Sequence, residues 1–442
     1  MKRLLGEAGF FAYLDALNQP YTRALRVNLL LRPDGTPPCP IEGLGAPVPW
    51  ARGAYFVEGD ARPGLSPLHE GGLFYMQEPS ALTAVTALDP QPSERVLDLC
   101  AAPGGKSTQI AALMAGRGLL CCNEPIPSRA QILSRNIERM GVRNAVVLSA
   151  MPDALAPRFP AFFDRILVDA PCSGEGMFRR QPEARDEWDA DAPRRCADRQ
   201  MEILAQAAKM LRPGGTMVYS TCTFNDTENE GVLKRFLALH PEFSLVPFTL
   251  PGLPEAKDGY LHLYPHEMRG EGHFVSRLKK ADGADETDAP VQAAPQRKAP
   301  ARAAAKGKAP APIALPDVFS DAFAPERLYT AGDALWMLPE GISIEQLSGL
   351  RVLRTGLLLA HAEGKRSEPD HALAMALRPE EAARTANLTQ AQALAYQAGE
   401  TLSLGDLPGG YTLLCCEDIS LGWGKQAGGL MKNHYPKGLR RR

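Results

Sequence analysis

The chain is expected to fold around a doubly wound α/β domain, a mostly parallel sheet covered by helices. Two observations predict this. Between residues 95 and 239, strand-length apolar runs alternate with helix-length amphipathic stretches, the pattern of repeated strand-crossover-strand units. A glycine-bearing loop, Cys100 to Thr108, joins the first run to the first helix, where such a sheet takes ligands at the carboxyl ends of its strands.

The elements follow in order. Strands are expected at Arg95 to Cys100, Leu119 to Asn123, Ala145 to Ser149, Arg165 to Asp169 and Thr216 to Thr221. Helices are expected near Gly105 to Met114, Ser128 to Met140, Arg195 to Leu211 and Asp226 to Leu239. Arg212-Pro-Gly-Gly215 reads as the turn that feeds the last parallel strand, and Gly272 to Leu278 as a further strand on an antiparallel edge. Residues 1–72 precede this domain (73–280) as a small mixed α+β segment. Residues 281–314 are Ala, Pro and charge without large apolar side chains, a composition expected to stay disordered as a linker. Residues 315–442 form a C-terminal module with its own strand and turn signals.

At 442 residues, more than one core is required. With 49 Lys and Arg against 51 Asp and Glu, net charge does not argue for a nucleic-acid partner, which must rest on local patches. Glu7, Asp15 and Asn18 interrupt the amino-terminal stretch that a signal peptide would keep apolar, and no later segment approaches membrane-spanning length. A cytoplasmic protein without a membrane partner is expected. Nine cysteines are then reduced thiols, and the pairs Cys121-Cys122 and Cys415-Cys416 lack the spacing of a zinc site.

The loop Cys100-Ala-Ala-Pro-Gly-Gly-Lys-Ser-Thr108 invites a phosphate-loop reading, but Cys100 stands where that motif needs its first glycine. Ala101 and Ala102 add no permissive torsions, while Gly104 and Gly105, between Pro103 and Lys106, still let the backbone approach a ligand closely. Adenosine without a triphosphate fits better. Glu124, about 20 residues beyond the loop at the end of the second strand, is placed to accept both ribose hydroxyls. Asp153, after the third strand, is placed for the adenine end or serves as a helix cap.

Two cysteines end two strands on the same edge: Cys172 in Asp169-Ala-Pro-Cys-Ser-Gly174 and Cys222 in Tyr219-Ser-Thr-Cys-Thr223. A buried cysteine is usually a small hydrophobe. Two beside one cofactor loop point to nucleophilic chemistry.

These segments, with Asp98-Leu-Cys-Ala-Ala-Pro-Gly-Gly-Lys106 and Asp169-Ala-Pro-Cys-Ser-Gly-Glu-Gly176, resemble the Sun/Fmu-type RNA (cytosine-5) methyltransferases, and among them the RsmF-like ribosomal RNA enzymes. The resemblance implies a Rossmann-like methyltransferase domain over 73–280, with S-adenosyl-L-methionine held by Cys100 to Lys106, Glu124, Asp153 and Asp169. Met151-Pro-Asp-Ala154 departs from the Asp-Gly-Arg common in that family at the Asp153 contact. It implies that Cys222 adds to carbon 6 of cytosine so that carbon 5 becomes nucleophilic, and that Cys172 helps release the product. Asp169, if it holds a proton, stabilises the charge that develops on the ring. Both cysteines together favour RNA over DNA, whose cytosine methyltransferases take their nucleophile from the Pro-Cys segment.

Arg23-Ala-Leu-Arg-Val-Asn28 and Met76-Gln-Glu-Pro-Ser80 resemble the family's entry segments, making 1–72 an RNA-binding segment. The tail from Gly422 resembles the family's PUA-like RNA-binding module. It gathers Lys425, Lys432, His434, Lys437, Arg440, Arg441 and Arg442 with Trp423 and Tyr435, cations for phosphates and aromatic faces for unpaired bases. The expected partner is ribosomal RNA of the small subunit, 16S, and the expected state a monomer. Loss of 315–442 is expected to weaken RNA binding and spare cofactor affinity. The rival readings are a nucleotidase using Gly104 to Thr108, the same methylation on transfer RNA, and a non-catalytic ribosome assembly factor.

Overall fold

The computed structural model describes residues 1–181, 183–186, 188–283, 313, 317–318, 325–363 and 366–441, so the expected linker lies almost wholly outside the described residues. Helix α1 (Lys2–Leu17) leads into strands β1 (Arg23–Val27), β2 (Leu44–Pro47), β3 (Ala54–Val57), the short α2 (Pro67–Glu70) and β4 (Phe74–Met76). These strands form a sheet in the order β2-β3-β1-β4, which runs past residue 72 to take in β4.

The central unit follows as α3 (Thr83–Leu88), β5 (Arg95–Asp98), α4 (Gly105–Leu113), β6 (Leu119–Asn123), α5 (Pro127–Arg139), β7 (Ala145–Leu148), α6 (Pro152–Leu155), β8 (Phe163–Asp169), α7 (Glu183–Asp186), α8 (Ala192–Met210), β9 (Leu211–Thr221) and α9 (Glu230–Leu239). Three more strands close it: β10 (Phe243–Leu245), β11 (Tyr260–Leu263) and β12 (His273–Lys280). The parallel core runs β9-β8-β5-β6-β7. Connections after β5 go to β6 on one side and, from β7, return to β8 on the other. The order therefore reverses at the β5/β8 junction, where a doubly wound sheet opens a crevice. Every residue of β6 and β7 is buried, as strands covered on both faces require.

Two expectations on this sheet are corrected. Arg212-Pro-Gly-Gly215 is no separate turn but part of the long β9, where a register shift opposite Phe163 and Arg165 absorbs the two glycines. Strand β12 is no edge: it pairs with β9 on one side and with β10 and β11 on the other. Those two short strands, set in a Pro- and Gly-rich stretch, carry little periodic signal.

The C-terminal part holds β13 (Leu328–Ala331), β14 (Ala334–Met337), α10 (Ile344–Leu347), β15 (Val352–Arg354), β16 (Leu357–Glu363), β17 (Arg366–Pro369), α11 (His371–Ala376), β18 (Thr385–Asn387), α12 (Gln390–Ala398), β19 (Gly410–Cys416), β20 (Ile419–Ala427) and β21 (Leu430–Asn433). It builds two four-stranded sheets, β13-β14-β16-β17 and β18-β19-β20-β21. Strand β15 leaves them to pair antiparallel with β7, extending the central sheet. Around that seam the buried Arg354 pairs with Glu138, and Arg143 donates to Ala376 O at 2.9 Å and to Glu381 Oε1 at 2.9 Å. Removal of 315–442 would thus uncover the edge of the central sheet at β7. No helix among the described residues is long and apolar enough to cross a membrane.

Candidate active site

The loop after β5 and the loops after β8 and β9 converge on the crevice. Ala101 N donates to Asn123 O at 2.8 Å, fastening the first loop to the end of β6. From α5, Arg129 donates to Ala102 O at 3.2 Å and Asn136 to Pro103 O at 2.9 Å; the Ala102–Pro103 peptide is cis. Gly104 then turns the chain at φ +113, where a Cβ would stand 3.2 Å from Leu133 Cδ1, and Gly105 opens α4. Arg26, fully buried, braces this helix by donating to Thr108 Oγ1 at 2.8 Å.

Two acidic groups flank the loop. Asp98 is buried at the end of β5 and accepts from Ser107 Oγ at 2.6 Å, while its Oδ1 has no partner among the described residues. Burial, reinforced by the charges of Asp169 and Glu124, pushes its pKa up to about 7. Glu124 is buried at the end of β6, accepting from Ile126 N at 3.0 Å and pairing with Arg129 at 3.3 Å. Asp153 is exposed in the first turn of α6; Met151 occupies the cap position, which removes the capping role expected as its alternative. Cys100 is a neutral thiol, since burial and the carboxylates around it push it far up.

The chemistry gathers at the ends of β8 and β9. Cys172 Sγ and Cys222 Sγ lie 3.2 Å apart. The hydrogen bond to Cys222, then burial, push the Cys172 thiol well above its ordinary range. Lys106 turns from the loop toward the same place, its Nζ 2.7 Å from Asp169 Oδ2. Ser220 Oγ donates to Asp169 Oδ1 at 2.8 Å, and the buried His273 Nε2 stands 3.6 Å from it. Burial alone would raise Asp169, but Lys106 and His273 outweigh it and hold the carboxyl well below the usual range. The condition that Asp169 hold a proton is therefore not favoured: its buried cationic partner stabilises the carboxylate.

Glu228, which no sequence signal distinguished, ties the two cysteine loops together. Fully buried, it accepts from Ser173 N at 3.0 Å, Gln200 Nε2 at 2.9 Å and Asn225 Nδ2 at 2.8 Å. Glu175 completes the clasp, accepting from Phe224 N at 2.9 Å and Asn225 N at 3.0 Å. Gly176 lets its own backbone approach: its N donates to Cys222 O at 2.8 Å, and a Cβ there would press within 2.9 Å of that oxygen.

Known proteins resemble the chain over nearly its whole length. Family descriptions match along the chain: the N-terminal domain of 16S rRNA methyltransferase RsmF over residues 1–79, 16S rRNA methyltransferase RsmB/F over 85–279, the RsmF first C-terminal domain over 316–377 and the RsmF PUA domain over 383–441. Ribosomal RNA small subunit methyltransferase F of Erwinia tasmaniensis is 33% identical over 457 residues, covering 99% of this chain and 95% of that protein. The chain belongs to the RsmF family. The protein of the same name from an Escherichia coli strain is 34% identical, covering 97% of this chain and 92% of its own. Among solved structures, a methyltransferase homologue from Pyrococcus horikoshii shares 28% identity with TM-score 0.52, covering 63% of this chain and 97% of its own. NSun6 of Pyrococcus horikoshii, solved with SFG, has TM-score 0.54 at 22% identity and covers 64% of this chain and 96% of its own, which shows the shared fold.

Membership makes the chain an S-adenosylmethionine-dependent ribosomal RNA methyltransferase with a PUA RNA-binding domain. The crevice fits that cofactor: the open oxygen of buried Asp98 and the acidic Glu124 suit a ligand carrying cationic groups and a diol, not a polyphosphate. The structure does not bear out the expected stacking platform of the tail. Trp423 and Tyr435 are 2% and 3% exposed, Trp423 Nε1 donating to Asp370 O at 2.8 Å, so both aromatics are core. His434 is engaged by Glu368 at 3.0 Å and Arg441 by Leu65 O at 2.6 Å, while Arg442 lies outside the described residues.

Proposed function

We propose that this chain methylates carbon 5 of a cytosine in 16S ribosomal RNA, with Cys222 as covalent nucleophile. The observation that carries the reading is the pair of sulfurs 3.2 Å apart at the ends of neighbouring parallel strands, beside the Lys106–Asp169 ion pair. Carbon 5 of cytosine is too weak a nucleophile to take a methyl unaided. Cys222, its thiol proton lost to solvent, adds as a thiolate to carbon 6, forming a carbon–sulfur bond and moving an electron pair toward carbon 5 and the ring's N3 side. Lys106 supplies a fixed positive charge against the negative charge that develops. Asp169, ionised, accepts from the exocyclic amine and orients the ring. S-adenosylmethionine, when bound along Cys100 to Lys106 with Glu124 and Asp153, supplies an electrophilic methyl. Loss of the carbon-5 proton to a base then expels the Cys222 sulfur, and the Cys172 S–H hydrogen-bonds to that sulfur as it departs.

The test combines the protein, labelled S-adenosylmethionine and small-subunit RNA or subunits, followed by nucleoside analysis. Wild type should yield 5-methylcytidine. Cys222→Ala should lose at least roughly four orders of magnitude in rate, as removal of a covalent nucleophile does. Cys172→Ala should accumulate a protein–RNA adduct. Activity retained by Cys222→Ala sinks the mechanism, and methylation of transfer RNA alone sinks the substrate.

A further inference from the structure

The sulfur pair at the strand ends is placed to react with itself as well as with a base. Cys172 Sγ and Cys222 Sγ, 3.2 Å apart, are the one hydrogen-bonded pair of thiols among the described residues. A disulfide bond is about 2.05 Å long, so the sulfurs need to close by only about 1.2 Å. The backbones that carry them already run tied side by side. Asp169 faces Ser220 in the parallel ladder, and Ala170 N donates to Ser220 O at 2.9 Å. Beyond the strands, Ser173 Oγ and Thr223 Oγ1 lie 2.9 Å apart, and Gly176 N donates to Cys222 O at 2.8 Å. Closure therefore takes a small movement of two side chains and leaves the strands paired. Solvent reaches the pair as well: Cys172 and Cys222 are half-buried, whereas Cys121, Cys122, Cys415 and Cys416 are buried. The Lys106 ammonium is close enough to feel the charge of a Cys222 thiolate, and the thiolate, not the thiol, is the form that oxidants attack.

We propose that Cys172 and Cys222 are a modification site for peroxides, which join them in a reversible disulfide that stops methylation. The Cys222 thiolate, its proton lost to solvent, attacks one oxygen of hydrogen peroxide. The oxygen–oxygen bond breaks, Cys222 becomes a sulfenic acid, and the hydroxide released takes up a proton as water. The Cys172 sulfur then attacks the Cys222 sulfur, a sulfur–sulfur bond forms, and the sulfur–oxygen bond breaks with the Cys172 proton leaving in a second water. The two thiols have lost two electrons and the peroxide has gained them. A dithiol reverses the change by thiol–disulfide exchange. Cys172 thereby also keeps the Cys222 sulfenic acid from further, irreversible oxidation. That methylation stops rests on Cys222 being the nucleophile, as stated above, whereas the disulfide itself needs only the geometry of the pair.

The experiment treats the reduced full chain with hydrogen peroxide and alkylates the remaining thiols. Mass spectrometry of the peptides is read alongside methylation of small-subunit ribosomal RNA. Wild type should yield a peptide linked through Cys172 and Cys222. Its methylation should fall in proportion to the linked fraction and return in full with dithiothreitol. Cys196→Ser, which removes a half-buried thiol of α8 outside the pair, should link and recover as wild type does. Cys172→Ser should carry Cys222 on to the sulfinic acid, which dithiothreitol does not reduce. A wild type that accumulates Cys222 sulfinic acid without the linked peptide overturns the proposal and leaves the nucleophile reading untouched. A linked protein that still methylates overturns the switch and the Cys222 nucleophile together, so the peptide masses separate the two failures.

Discussion

The strand ends of the central sheet and the C-terminal tail both carry residue types that chemistry uses, and the structure treats them oppositely. At the strand ends it draws them together: sulfur to sulfur at 3.2 Å, ammonium to carboxylate at 2.7 Å. In the tail it separates them, sending Trp423 and Tyr435 into the core while Lys432 and Lys437 face solvent. The difference lies in what the local pattern constrains. A residue just past the end of a parallel strand must emerge at the carboxyl edge, whatever surrounds it. An aromatic in an antiparallel strand, as Trp423 is in β20, points to one of two faces, and a one-residue change of register reverses which.

The largest effect that would sharpen this contrast comes from Glu228, which holds the strand-end loops without touching a reacting atom. Glu228→Ala strips the acceptor from Ser173, Gln200 and Asn225 at once. It should lower kcat by about 100-fold through misplacement of Cys172 and Cys222. Stability should fall by roughly 3 kcal/mol, since several buried donors lose their partner. Single-turnover methylation and chemical unfolding read the two effects. Full activity with lowered stability would mean that the cysteine loops keep their geometry without the clasp.

How much of this was legible follows the same line. All five parallel strands, and the arrival of both cysteines and the Cys100 to Thr108 loop at one edge of the sheet, could be read, because each is set by local apolar runs or by spacing along one strand. Glu228 could not, because Asp226 to Asn229 reads as the start of a helix that in fact begins at Glu230. His273 and Lys106 reach Asp169 from β12 and α4, elements distant in sequence, so their pairing is a tertiary fact. The charge state of Asp169 depends on that pairing and so stayed open at the level of the sequence. Strand β15 illustrates the limit on domain reading: three residues from beyond the linker complete a sheet begun more than 250 residues earlier.

A second, pH-dependent effect tests whether the cofactor side of the crevice is built around an open charge. Asp98 has an unfolded pKa of about 3.9 and a folded value of about 7. The folded chain therefore binds more protons than the unfolded between these values. The stability from Asp98 is fully present below about pH 4 and is lost as pH rises to about 7. Asp98→Asn removes the titration while still accepting from Ser107. Its melting temperature should stay flatter than wild type between pH 5 and 7.5 without cofactor, and its affinity for the cationic cofactor should fall. Parallel melting curves for the two proteins would show that Asp98 is ionised and satisfied already.

The smallest effect concerns the tail, and its sign decides whether the two regions truly differ. Trp423 has no face open to a base; its indole packs with Leu359, Leu373 and Leu413, and its N–H is spent on Asp370 O. Trp423→Phe keeps most of the apolar volume and loses one buried hydrogen bond, so stability should drop by about 1–2 kcal/mol. If the ring is core, RNA affinity at fixed salt should stay within about twofold, because phosphate contacts from the exposed cations are untouched. A base stacked on an aromatic side chain contributes about 1–3 kcal/mol, so a stacking role would give a clear loss of affinity even where melting barely moves. Weakened RNA binding with an unchanged melting temperature would return Trp423 to the interface, and the tail would then resemble the strand ends in exposing its chemistry.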